Sequence, residues 1–396
     1  MSRSGWVSLG LSLWLIGCGS NATTQSSPKP PADPPPQSPA VPAPARSPAE
    51  APPSATTPAT TPSAAELPPP AATPTPIERG AALYAGMCAV CHGVNGEGYK
   101  ADQAPMLAHQ DFLASASDEF LRVAISHGRP GTTMSAWGTE LGGPLRSTEV
   151  LALIAFLRSW QKQPTIALDE SPNLGTAARG EVIFKRECAE CHGAKAKFLQ
   201  LLNPELLEHA TPGFLRQAIR KGRASTKMPA YEAKLGARGV DDVIAYLKSL
   251  PARVRPPGAT GPITPPPIPL GPVPLNKRGP EPKDFVAYPA MTSVDVIARE
   301  YKRKARMAIL DARAPSDYAI EHVAGAVSVP FYDPSPYLEK LPKNAWIVCY
   351  CGCPHAESGT LAMKLQAAGF EKVTVMDEGL WDWKEKGHPM KEGQKP

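Results

Sequence analysis

The chain lacks an apolar run long enough to cross a bilayer as a helix, which takes roughly 20 residues. The stretch Trp6–Ile16 is too short; following an early arginine and ending in small residues, it reads as the core of a signal peptide over residues 1–17. Charge of one sign is also lacking. The 42 Lys and Arg against 37 Asp and Glu leave a dispersed net +5, which argues against a nucleic-acid partner. Cysteine is scarce: there are eight in 396 residues, all with roles below, and none of those roles is a structural disulfide. Aromatic residues are almost missing from Ser20–Pro76, a tract of Pro, Ala, Ser and Thr. Such a tract buries no core and is expected to be a disordered tether biased to polyproline II. A second proline-rich tract, Pro251–Pro282, takes up much of the remaining proline, so the foldable part is smaller than the length implies.

What is present is organised around two short stretches, Cys88-Ala-Val-Cys91-His92 and Cys188-Ala-Glu-Cys191-His192. C-x-x-C-H is the attachment motif of c-type haem. Two thiols one helical turn apart are spaced to be alkylated by the two vinyl groups of one porphyrin, and the adjacent imidazole then reaches the iron. A lone CxxC also fits a redox dithiol or half a zinc site. Two copies followed by His-Gly, with matching flanks, favour two covalently bound haem c groups.

The flanks form an internal repeat, with domains expected at 77–162 and 173–250. Gly80, Tyr84, Cys88 and His92 match Gly180, Phe184, Cys188 and His192 at an offset of 100. Phe120-Leu121-Arg122, His127-Gly128-Arg129 and Met134 match Phe214-Leu215-Arg216, Lys221-Gly222-Arg223 and Met228 at an offset of 94. The closing segments Leu153–Leu157 and Val243–Leu247 match at 90. Each copy predicts a first helix ending in CxxCH, a loop, a helix, a methionine-bearing loop and a final amphipathic helix.

This pattern resembles class I cytochrome c along both copies. The resemblance implies a small all-α fold whose first and last helices cross, bringing Gly80 and Tyr84 to Phe156, and Gly180 and Phe184 to Tyr246. It also implies His/Met ligation of iron, by His92 and Met134 in one copy and by His192 and Met228 in the other. Such ligation raises the potential and suits electron transfer. The equal offset of the two methionines favours this role over core filling. Pro105 is placed to offer its carbonyl to the ligand imidazole, with no evident equivalent in the shorter second copy; His209 reads as a surface residue. The first copy carries 7 basic against 8 acidic residues and the second 13 against 8. Lys195, Lys197, Arg220, Lys221, Arg223 and Lys227 therefore form a basic rim around the second haem motifs, suited either to an acidic redox partner or to the haem's own propionates.

Upstream, Leu15-Ile16-Gly17-Cys18 resembles a bacterial lipobox. It implies cleavage before Cys18, lipid on that residue, a tether over 18–76, and a periplasm-facing protein held at the inner or outer membrane.

Beyond the linker at 251–282 the pattern changes to short apolar strands between helices: Met307–Leu310, Ala326–Val329, Trp346–Cys349 and Val373–Met376. Strands alternating with helices predict a parallel α/β sheet. Leu310-Asp311-Ala312-Arg313, His322-Val323-Ala324-Gly325-Ala326, Tyr350-Cys351 and Glu378-Gly379 to Trp383 then make 284–390 resemble a rhodanese domain. The resemblance implies that Cys351, ahead of the helix Ser358–Ala368, takes sulfane sulfur as a persulfide. The loop Cys351-Gly-Cys353-Pro-His355-Ala-Glu357-Ser358 departs from that family: it lacks the arginine that often holds an anion and offers Cys353 and His355 instead. Cys353 is a candidate to attack a persulfide on Cys351, and His355 to lower a thiol pKa or bind substrate. A metal site from Cys349, Cys351, Cys353 and His355 is disfavoured, because Cys349 belongs inside a strand.

The expected fold is therefore multidomain: two all-α cytochrome c domains and one α/β rhodanese-like domain, joined by disordered proline-rich linkers. The expected function is a membrane-anchored two-haem electron carrier coupled to small sulfur compounds and external redox proteins. Two rivals are a carrier whose rhodanese-like part only docks, and a sulfurtransferase whose haems sense redox state.

Overall fold

The computed structural model describes residues 73–99, 104–129, 132–193, 198–199, 201–250, 273–352 and 355–396. The leader, Cys18, most of both proline-rich tracts, Lys195, Lys197 and Cys353 lie outside these residues.

The first repeat copy begins with α1 (Pro76–Leu83). Its start is a capping box with proline at the first helical position: Thr75 Oγ1 accepts from the Glu78 amide while the Glu78 carboxylate accepts from the Thr75 amide. A wider turn, Tyr84–Cys88, leads into α2 (Ala89–His92), which carries the second thiol and the histidine. There follow α3 (Gln110–Ser115), α4 (Asp118–His127) with a Ser117 cap, and α5 (Ser147–Ser159). The second copy repeats the order with α6 (Ala177–Glu187), α7 (Ala189–His192), α8 (Pro204–His209), α9 (Pro212–Lys221) and α10 (Glu232–Ser249), the last bent at Gly236.

In both copies the first and last helices cross where glycine leaves room. A Cβ on Gly80 would run into the Ala152 carbonyl and the Phe156 side chain, and one on Gly180 into the Asp242 carbonyl and Tyr246. One turn on, Tyr84 meets Phe156 and Phe184 meets Tyr246, each pair with ring centroids 5.4 Å apart. The sequence reading foresaw these crossings but missed α3 and α8. Six residues each, they are too short to show an apolar period.

The two copies meet through equivalent residues. Phe120 and Phe214, related by the repeat, stack with centroids 5.0 Å apart, and Phe112 lies edge-on to both. Arg129 lies over Phe120 as Arg223 lies over Phe214. A repeat patch that pairs with its own counterpart is the intrachain version of a two-fold interface. At its edge Asp111 accepts from the Ala224 amide at 3.0 Å, and His109 Nε2 lies 2.9 Å from the Ala224 carbonyl oxygen.

The C-terminal region is α/β. Strands β1 (Met291–Thr292), β2 (Met307–Asp311), β4 (Val327–Ser328), β5 (Trp346–Tyr350) and β6 (Val373–Met376) form a parallel sheet in the order β1-β6-β5-β2-β4. A short antiparallel pair joins β3 (His322–Val323) to β7 (Met390–Lys391). Helices α11 (Val294–Lys302), α12 (Pro315–Ile320), α13 (Ala356–Ala367) and α14 (Gly379–Glu385) pack around the sheet. β2 and β6 are buried along their whole length, which is why they read as continuous apolar runs. Among the described residues no helix is long and apolar enough to cross a membrane.

Candidate functional site

The histidine of each CxxCH turn is oriented by a backbone carbonyl. His92 Nδ1 lies 2.9 Å from the Pro105 oxygen, and His192 Nδ1 lies 2.8 Å from the Leu199 oxygen. A ring that donates from Nδ1 presents a bare Nε2, the arrangement a metal-bound histidine needs. Burial also pulls the His92 pKa down, favouring the neutral ring. Leu199 supplies the carbonyl that had no evident counterpart in the shorter second copy. It was illegible because a backbone carbonyl leaves no side-chain signature.

The two methionine loops are alike atom for atom. The Met134 carbonyl accepts from the Arg129 amide (2.8 Å), and the Met134 amide donates to Thr132 Oγ1 (3.1 Å). The Met228 carbonyl accepts from Arg223 (2.9 Å), and its amide donates to Thr226 Oγ1 (3.1 Å). Gly128 (φ +65°) and Gly222 (φ +67°) make this possible. A Cβ there would meet the loop backbone at about 2.5 Å, in a left-handed conformation that side chains avoid. The thiols sit in apolar surroundings, and burial pushes Cys88 up to about 12 and Cys188 up to about 11. Neutral sulfur beside an oriented imidazole and a methionine loop fits covalent haem c. His92 and Met134, and His192 and Met228, are the residues available to its iron.

Around the second motif the basic rim is partly neutralised. Arg220 and Lys221 both bind Glu232, and Lys227 lies 6.0 Å from the Phe198 ring centroid. His209 is half-buried rather than a surface residue, edge-on to His127 at 5.9 Å.

In the α/β region Cys351 follows the end of β5, with no solvent exposure. Its Sγ lies 3.3 Å from Ser358 Oγ in the first turn of α13. Beneath it, Tyr350 donates to Asp311 (2.7 Å), and Arg313 forms a buried ion pair with the same carboxylate (2.7 Å). These bonds tie the strand end to the motif after β2. His355 immediately precedes α13, with Nε2 3.5 Å from Asp377 Oδ1. Cys349 is interior to β5, where burial raises its pKa.

The Cys351 loop also faces the first repeat copy. Ser135 Oγ donates to Asp317 at 2.5 Å, and Ser316 Oγ donates to the Ala136 carbonyl at 2.8 Å. Thr133 reaches the space a Cβ on Gly352 would occupy, 3.5 Å away. Trp137 packs on Phe331 and Tyr332, and α13 lies against α2. Ser358, Asp377, Asp317 and Ser135 were missed from sequence; no local pattern marks residues whose partners are distant in the chain.

Three family models match. One described as cytochrome c covers residues 77–161, one described as cytochrome c oxidase, cbb3-type, subunit III covers 175–247, and one described as a rhodanese-like domain covers 295–386. Among curated proteins, the cbb3-type cytochrome c oxidase subunit FixP of a Bradyrhizobium strain is 29% identical over 189 residues, 43% of this chain and 60% of that protein. The dihydro-heme d1 dehydrogenase of Pseudomonas aeruginosa is 33% identical over 78 residues, 19% of this chain and 16% of that protein. The chain thus spans about 60% of the length of the first of these relatives. Among solved structures, the rhodanese-like domain of an Anabaena protein is 28% identical, covering 26% of this chain and 80% of that one at a TM-score of 0.25.

Proposed function

Because the chain carries cytochrome c, cbb3-type cytochrome c and rhodanese-like domains in that order, we propose that it couples sulfur chemistry at Cys351 to electron transfer in the bacterial periplasm. Cytochrome c domains imply covalently bound haem c, and each CxxCH turn is read here as holding one. A haem c carries one electron at a time at a potential raised by a methionine ligand. His92 and His192, fixed through Pro105 and Leu199, and Met134 and Met228 are the proposed ligands. Lipid on Cys18 is the proposed anchor, leaving the domains periplasm-facing on a long tether. The likeness to cbb3-type oxidase subunits supports a membrane setting and redox proteins as partners.

At the sulfur site the chain's own groups suggest the chemistry. A thiolate at Cys351 and one hydrosulfide ion combine into a persulfide, releasing one proton and two electrons. Ser358 Oγ, 3.3 Å from Cys351 Sγ, is the group proposed to hold the anionic sulfur, with the first amides of α13 as further donors. His355, steadied by Asp377, is a group for the proton, and Cys353 is the thiol that would take the sulfur onward. Two one-electron carriers match the electron pair.

The observation that carries this reading is Cys351 itself, held at a strand end and bonded to the first turn of the following helix. Its full burial favours a second reading, in which the rhodanese-like part is a silent docking module. Peptide-resolved mass spectrometry after exposure of the oxidised protein to sulfide, and separately to thiosulfate or polysulfide, separates the two. Added sulfur on Cys351, absent in Cys351→Ser, is the expected result. An unmodified Cys351 under all donors would leave the docking module.

A further inference from the structure

The segment Thr133–Trp137 touches two sites at once. Met134, its second residue, is the proposed iron ligand of the first haem module. The residues on either side of it all grip the rhodanese-like domain. Thr133 borders Gly352, its Cγ2 3.5 Å from where a Cβ on that glycine would sit, and Gly352 follows the buried Cys351. Ser135, only 2% exposed, binds Asp317. The Ala136 carbonyl accepts from Ser316. Trp137, 6% exposed, packs against Phe331 and Tyr332. On the far side of the same haem site, the α2 turn carrying Cys91 and His92 lies against α13, the helix that begins beside the Cys351 loop. The second module departs from this arrangement. Its equivalent of Ser135 is Pro229, which has no hydroxyl to donate, and the Met228 carbonyl and amide bond within their own loop, to Arg223 and Thr226.

We infer that the Met134 segment is both the methionine arm of the first haem and the lid over Cys351, so that opening the sulfur site strains or releases the Met134–iron bond. This rests on the reading of Met134 as a ligand and Cys351 as the sulfur acceptor. A small sulfur anion reaching a cysteine with no solvent exposure needs something to move. Of the groups around Gly352, Thr133 at 3.5 Å from a Cβ built there and Arg313 and Trp381 at 3.6 Å, only Thr133 comes from the first haem module. Among the described residues the segment is held down by two side-chain hydrogen bonds and the two ring contacts of Trp137, few enough for local opening while the rest of the fold stays closed. Sulfur loading is therefore reported at the first haem and not at the second. The coupling is reciprocal: a bound Met134 keeps the lid shut, and a lost one leaves Cys351 accessible.

The test uses the full-length two-haem protein and iodoacetamide, a probe that requires no sulfur chemistry. The rate of Cys351 alkylation is followed by peptide mass spectrometry in the wild type and in the double variant Ser135→Ala, Ser316→Ala. The methionine-to-ferric-iron charge-transfer band is recorded in parallel. We expect alkylation to speed up about tenfold in the variant, as two modest hydrogen bonds are removed. We also expect the band to fall to roughly half once Cys351 is alkylated, as one haem of two loses its methionine. Met134→Ala, which removes the arm without touching the hydrogen bonds, should likewise accelerate alkylation. Equal rates in all three proteins would overturn the lid. Faster alkylation with an unchanged band would overturn the coupling. A lid that behaves as expected around a Cys351 that never takes up sulfur would instead overturn the proposed function and leave the lid standing.

Discussion

At the scale of single residues, the haem motifs were fully legible, because covalent attachment demands fixed residue types at fixed spacing. The methionines are proposed as ligands only through the repeat; one copy alone leaves Met106 and Met134 as competitors. The carbonyls of Pro105 and Leu199 show the opposite limit, since any residue carries the group that matters. Ser358 belongs to the same class, its hydroxyl being meaningful only once α13 places it 3.3 Å from Cys351 Sγ. Replacing it, Ser358→Ala, removes one hydrogen bond to the sulfur and should slow persulfide formation on Cys351 about fivefold, measured by mass spectrometry at fixed donor concentration. An unchanged rate would assign the sulfur to the helix amides alone. Acid stability gives a second residue-level expectation. The Arg146 side chain, with help from the Arg146 amide and Arg79, holds Glu149 down to about 2. Its folded pKa lies below the unfolded value of about 4.3, so its contribution is present above that value and lost as pH falls toward 2. Because both arginines face solvent, Glu149→Gln should cost under about 1 kcal/mol at pH 7 and nothing near pH 2. Urea melts at the two pH values check this.

At the scale of elements, the sequence carried the long helices and the buried strands, and it failed on short pieces. β1, β3 and β7 are two residues each and exist only through their partners, so no local period announces them. The helix crossings were expected from the cytochrome c resemblance, which glycine and aromatic residues four apart in both copies carry. They also predict sharply. In Gly180→Val the added side chain meets the Asp242 carbonyl at the tightest point of α6 on α10. The substitution should cost about 3 kcal/mol or more through forced separation of the helices. Thermal melting followed at the haem bands should show the second module failing first. A change of less than about 1 kcal/mol would mean that the helices part without penalty.

At the scale of the whole molecule, the sequence is silent on how the three domains pack, and among the described residues they are packed neighbours. The apolar ring pairing Phe120 with Phe214 joins the two haem modules, and the Met134 segment joins the first of them to α12 of the α/β domain. Contacts between residues about 180 positions apart leave no trace in local pattern, which is why this arrangement was invisible beforehand. In the double variant Phe120→Ala, Phe214→Ala the stacked interface loses most of its apolar area. Small-angle scattering should then show a larger radius of gyration with both haem spectra intact; an unchanged radius would assign module packing to other contacts.

The central claim is that sulfur chemistry at Cys351 and the haem modules are one system. Its most direct measurement is anaerobic addition of sulfide, polysulfide or thiosulfate to the fully oxidised protein, followed at the haem absorption bands in the wild type and in Cys351→Ser. The account predicts rapid haem reduction by at least one of these donors and its loss in the variant. Equal reduction in both proteins, or none in either, would contradict it and leave an electron carrier beside a separate sulfur-binding domain.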